Sequence, residues 1–223
     1  MPANRRAAAL DLAIVLLVFF VLNAAGPALD PLLRRGHGFS GLLALAAYQF
    51  ALEGLAVLGV MLVRRERLSD YGFTRRNAGK SLILALVLAG IYNLALSWRT
   101  GVLLWIPFHR HTAMRMSLAM GFPLSLAGMA VMFAVWGFME AFFGVFFARK
   151  LNQTLGHDGR GWFSPGAFGF ALFNGLIHLM IGQGIAGFVA SFASGYAIAV
   201  IPGATRNAWG STLFQSLTNA VGK

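Results

Sequence analysis

The sequence predicts an all-α membrane protein, a polytopic helical bundle of seven to eight transmembrane helices, on three observations. Hydrophobic residues fill 58% of the 223 positions and charged residues only 11%, where a soluble domain carries roughly 25% charged. The apolar residues come in successive runs, each near the about 20 residues a helix needs to cross a bilayer. No polar stretch between them is long enough to build its own core, so 1–223 reads as a single integral membrane domain.

The first run, Ala8–Gly26, lacks a small-residue cleavage site and reads as a retained helix rather than a signal peptide. Phe39–Val63, Ser81–Trp98 and Pro123–Ala148 follow it. Pro165–Gln183 opens on "FSPG", in which Ser164 suits the N-cap and Pro165 the first helical position. Gly184–Ile201 and Asn207–Val221 complete seven, with "IPGATRN" (Ile201–Asn207) as the turn between them. The short "GVLLWIPF" (Gly101–Phe108) cannot span; its Trp105 suits the interface. Joined to Ser117–Phe122 as a broken helix, it would make an eighth crossing. There is no internal repeat and no low-complexity tract.

A net charge of +11 raises nucleic acid as a partner, but the cations sit in the loops, where topology explains them better. With the N-terminus inside, the inner set is Arg5, Arg6, Arg64, Arg65, Arg67, Arg75, Arg76, Lys80, Arg149, Lys150, Arg160 and Arg206. The outer set is Arg34, Arg35, Arg99, Arg110, Arg115 and Lys223. Twelve against six places the N-terminus in the cytoplasm of a multi-pass protein of the plasma membrane, the inner membrane of a bacterium. The lipid bilayer is then a partner and nucleic acid is not. With no Cys, disulfides, thiolate chemistry and thiolate metal sites are excluded.

Ionisable groups inside apolar runs cost several kcal/mol unless they face a cavity or a partner. Asp11, Glu53, Glu140 and His178 are those groups. Asp11 lies about two turns from the cytoplasmic end and reads as a structural, snorkelling residue. Glu140 lies roughly 14 Å from Arg149, and His178 roughly 20 Å from Pro165. Gln215 and Asn219 lie roughly 12 and 18 Å from Asn207, four residues apart on one helix face. All four fall near the middle of a hydrocarbon layer about 30 Å thick, which predicts a shared polar cavity. Amides in membranes also serve as helix–helix glue. A buried Glu able to take a proton from water, with a His to share it, points instead to hydrolysis.

The order of pieces resembles a known family. A Glu-bearing helix ends in "FFARKL", the next carries "FNGLIHL", and "SFASGYAIAVIPGATRNAWGSTLFQSLTNAV" follows. This is similar to the CPBP family, the CAAX prenyl proteases and bacteriocin-processing proteases of membranes, over a core of about 65–221. "LSDYGFTRRNAGKSL" (Leu68–Leu82) resembles the family's lead into its third helix. Against the family's Glu-Glu-x-x-x-Arg, Met139 stands at the first Glu and Gly144 at the Arg. A shifted register makes Glu140 the first carboxylate. Against Phe-x-x-x-His, Asn174 precedes His178; against His-x-x-x-Asn, Gln215 precedes Asn219.

The resemblance implies an intramembrane endopeptidase acting on a membrane-associated peptide or protein near the cytoplasmic side. Glu140 and His178 would activate a water, and Asn219 with Gln215 would donate hydrogen bonds to the tetrahedral intermediate. Glu53, with Gln49 one turn earlier, lies roughly 16 Å from Arg64 and is a candidate for the missing carboxylate. No cofactor is expected. A catalytic zinc takes three ligands, mostly His, Cys or carboxylate, and one intramembrane His disfavours it. His37, His109, His111 and His157 fall in loops. The altered motif positions keep a second reading open, a pseudoprotease that binds or scaffolds membrane proteins. A proton-coupled carrier is the weaker third, because repeats and paired interrupted helices are missing.

Overall fold

The computed structural model describes residues 2–35, 38–101 and 112–218. "GVLLWIPF" beyond Gly101, His37, His109, His111 and Asn219 lie outside the described residues. Among the described residues the chain is all helix and turn. The elements are α1 (Pro2–Arg35), α2 (Gly38–Arg64), α3 (Ala78–Thr100), α4 (Thr112–Ala119), α5 (Leu124–Leu155), α6 (Pro165–His178), α7 (Gly184–Thr205) and α8 (Trp209–Thr218).

Five stretches are long and apolar enough to cross a bilayer: Asn4–Leu29, Gly38–Arg64, Ala78–Arg99, Leu124–Leu155 and Pro165–Thr205. Their outward faces are apolar too, with Leu17, Val21, Ile83, Ile91, Leu94 and Ile185 exposed, as lipid contact requires. The protein is a membrane protein. The expected seven or eight crossings do not appear one for one. The runs 165–183 and 184–201 join into one 41-residue stretch, within which the chain reverses at Gly182 (φ 84) and Gly184 (φ 66). Contacts step outward from that point: Gly175 on Phe188, Asn174 on Ser191, Ala171 on Gly195, Gly161 on Gly203. α6 and α7 therefore form an antiparallel hairpin. Ser164 caps α6 by accepting from the Ala167 amide at 3.1 Å, as its place before Pro165 predicts.

The end of α7 differs from expectation. The helix runs through Pro202 to Thr205 and turns at Arg206, whose φ is 59. Asn207 then stitches this turn to the lead of α3. Its side-chain amide donates to the Thr74 carbonyl at 2.6 Å and the Arg76 carbonyl at 2.9 Å. The Ser81 hydroxyl donates to the Asn207 carbonyl at 2.8 Å. These bonds fix the turn from outside the helix, which offsets the hydrogen bond that the helical Pro202 cannot donate. The core beneath it is aromatic, with Phe142, Phe146 and Phe214 fully buried.

Two groups of charges meet at this basic end. Asp11, 3% exposed, does not snorkel; it accepts from Arg64 Nε at 2.8 Å and from Lys150 Nζ at 3.0 Å. Lys150, read as a loop cation, is 2% exposed and also donates to Glu66 Oε1 at 2.6 Å. Tyr71 donates to the other Glu66 oxygen. Burial and that carboxylate push the Tyr71 phenol well above its ordinary range. The network clamps α1, α2, the Glu66–Tyr71 turn and α5 together.

Candidate functional site

The site begins with three widened helical turns. Ala51–Leu55 in α2, Phe133–Met139 in α5 and Leu179–Gln183 after α6 each hydrogen-bond one residue further than an α-helix does. Each contains a glycine: Gly54, Gly137 and Gly182. A widened turn rotates the side chains that follow it relative to those before, and such turns are frequent at functional sites. Glu53 lies within the first, Glu140 directly follows the second, and His178 directly precedes the third. At Gly54 a Cβ would come within 2.6 Å of Met139 Cε, the end of a flexible side chain reaching across from α5.

The three residues line one cavity of about 780 Å³, together with Gln215 of α8 and Gln49 of α2. Glu53 accepts a hydrogen bond from Gln49 and lies within electrostatic reach of Glu140. The second oxygen of Glu53, Oε2, is buried with no protein partner among the described residues. Glu53 lines the cavity, but Oε2 itself is closed off from it, a buried acceptor left unsatisfied among the described residues. His178 Nδ1 lies 2.8 Å from Gln183 Oε1. With the amide oxygen as acceptor, Nδ1 donates, and the neutral ring carries its lone pair on Nε2.

The floor of the cavity is aromatic. Phe19, Phe143, Phe170 and Phe173 line it and pack on one another at centroid distances of 5.3 to 6.4 Å. They separate it from the Asp11–Lys150 network. From that floor the cavity runs to Ile181 and Gln183 at the hairpin reversal and to Arg99 in the last turn of α3. Ile181 lies eleven residues, roughly 16 Å, beyond Phe170 along the hairpin. The cavity therefore leads away from the basic end.

Sequence reasoning had singled out Glu140, His178, Gln215 and Glu53, and the fold brings all of them to this cavity. Asn219 lies outside the described residues. Gln183 was missed, because a contact five residues on crosses a widened turn and follows no α-helical spacing. The glycines within the three widened turns were the only available signal. At Gly144, where the resembled family carries Arg, a Cβ would stand 2.5 Å from the Phe170 ring; that position is filled by the aromatic floor. Among the described residues, no three His, Cys, Asp or Glu stand close enough together to hold a metal ion.

Fold and cavity together define a helical membrane protein with a carboxylate-lined chamber between its helices. No family model matches the chain, nor does any curated protein or solved structure.

Proposed function

We propose that the protein is an intramembrane peptide hydrolase in which Glu140, assisted by His178, activates a water against a membrane-associated peptide. One observation carries this reading: two carboxylates, a histidine and a carboxamide line a single chamber of about 780 Å³ inside an apolar bundle. That volume lies in the about 300–1,000 Å³ range of small-molecule sites. Glu140 takes a proton from water as the water oxygen bonds to the scissile carbonyl carbon. The Gln215 amide, with Asn219, donates hydrogen bonds to the resulting oxyanion. The C–N bond then breaks as the proton passes to the leaving nitrogen. His178, oriented by Gln183, holds the water or relays that proton. Glu53, beside Glu140, supplies the second carboxylate that the motif around Glu140 lacks.

The basic end is cytoplasmic in this reading, which follows from the twelve-to-six division of cations. In this reading the hairpin α6–α7 crosses twice and α8 supplies the seventh crossing, beside α1, α2, α3 and α5. Peptide then enters from the bilayer or from the side opposite the cytoplasm. The resemblance to the CPBP family supports the same chemistry. The test is turnover by purified protein in detergent against a library of quenched, membrane-anchored peptides. Cleavage by the wild type is expected. A wild type that binds peptides but cuts none would leave a binding protein built around this chamber.

A further inference from the structure

A second cleft, of about 560 Å³, opens at the basic end between the Ser69–Gly72 turn, the end of α5, the α5–α6 loop and the end of α7. Its cations are Arg149, Arg160 and Arg206. The Arg149 guanidinium is stacked 4.9 Å over the Tyr71 ring, and its Nε is buried with no hydrogen-bond partner among the described residues. Stacking fixes the plane of the guanidinium at the cleft wall, with Nε shielded from solvent. Arg206 is held at the end of α7 by its backbone, whose N–H donates to the Pro202 carbonyl at 2.8 Å.

The carboxylates in the cleft are otherwise engaged. Asp70 Oδ2 accepts from the Arg67 amide at 2.7 Å, and Asp158 Oδ1 accepts from the Arg160 amide at 3.0 Å. Asp158 Oδ2 forms an exposed ion pair with Arg160 Nε at 3.7 Å, and Asp158 Oδ1 lies 3.7 Å from His157 Nδ1; at these lengths and exposures such pairs are weak. His157 Nδ1 itself accepts from the Gly159 amide at 2.9 Å. The loop that carries Arg160 continues into Trp162 and Phe163, which are 49% and 88% exposed. The Trp162 carbonyl is anchored by the Tyr196 hydroxyl. Exposed aromatics beside arginines at the ends of apolar helices belong at the level of lipid headgroups.

We propose that this cleft binds the phosphate of an anionic phospholipid headgroup, with Arg149, Arg160 and Arg206 as donors and Trp162 and Phe163 seated in the interface beside it. The site is separate from the chamber and does not depend on hydrolysis. It differs from diffuse attraction between a basic surface and an anionic leaflet, because Arg75 is exposed at the same end but lies outside the cleft.

The experiment is titration calorimetry on the whole protein in a neutral detergent, with dihexanoyl phosphatidylglycerol, dihexanoyl phosphatidylcholine and inorganic phosphate as separate probes. Phosphatidylglycerol is expected to bind more tightly than either of the other two. Arg160→Gln and Arg206→Gln should each weaken it about fivefold or more, the scale of one arginine at a charged membrane surface, and Arg75→Gln should not. Both cleft positions are exposed, so these variants remain folded even where Arg149→Gln does not; thermal midpoints confirm it. An equal loss in Arg75→Gln would reduce the site to surface attraction. Inorganic phosphate binding as tightly as the lipid, or no preference for phosphatidylglycerol over phosphatidylcholine, would overturn the lipid assignment.

Discussion

Two polar regions lie inside this bundle, on opposite sides of a layer of phenylalanines, and they are built in opposite ways. Around Lys150 the buried charges are paired: Asp11 with Arg64 and Lys150, Glu66 with Lys150 and Tyr71. In the chamber, Glu53 keeps a buried oxygen with no partner among the described residues and stands near a second carboxylate, Glu140. Closed pairing of this kind fixes helices to one another. An incompletely satisfied group beside open volume holds no helices together and leaves that volume polar instead. Both regions contain ionisable groups at helix positions that look alike in sequence, so the presence of a charge does not distinguish them. The satisfaction of its hydrogen bonds does.

The comparison breaks most readily at the network. Lys150→Met leaves Asp11 with Arg64 alone and Glu66 with Tyr71 alone, and should cost about 3 kcal/mol, the lower part of the range for breaking a buried pair. Unfolding by SDS titration from mild detergent measures it; an unchanged midpoint would mean the network holds nothing together. The floor comes next. Gly144→Ala sets a Cβ 2.5 Å from the Phe170 ring and 3.0 Å from Ile198, and overpacking of this kind costs about 1–3 kcal/mol in the same titration.

A smaller effect is expected at Tyr71. Its folded-state phenol holds the proton more tightly than the unfolded chain does, because it is buried and bonded to Glu66. Stability is then flat below about pH 10, the ordinary tyrosine range, and declines as pH rises beyond it. Tyr71→Phe should lose about 1 kcal/mol for the hydrogen bond and abolish that alkaline slope, which melts between pH 8 and 11 would reveal. The smallest change in stability belongs to the chamber. Glu53→Gln keeps the shape, removes a carboxylate held beside Glu140, and should leave the midpoint within about 0.5 kcal/mol or raise it. A large loss there would place Glu53 with the structural charges.

Much of this arrangement was legible before the fold was known, and particular residues show why. Depth along each helix needs only the rise per residue, so Glu140, His178 and Gln215 could be assigned to one level and hence to one cavity. Azimuth needs the helix to be regular, and the three widened turns break that regularity, which hid Gln183 from view. Lys150 was misread because a cation next to Arg149 at the end of an apolar run looks like any loop charge. Its burial depends on Asp11 and Glu66, 139 and 84 residues away. Pro202 suggested an early end to α7, yet long-range bonds from Asn207 hold the final turn.

The claim that the chamber is built for chemistry and the network for architecture is tested most directly on a peptide that the wild type cleaves. Turnover and unfolding midpoint are measured on the same preparations of wild type, Glu140→Gln and His178→Ala. General acid–base catalysis by these groups predicts a fall in turnover of about 10²–10⁴-fold in each variant, with midpoints unchanged. Cleavage that survives either substitution, or that is lost only together with folding, would contradict it.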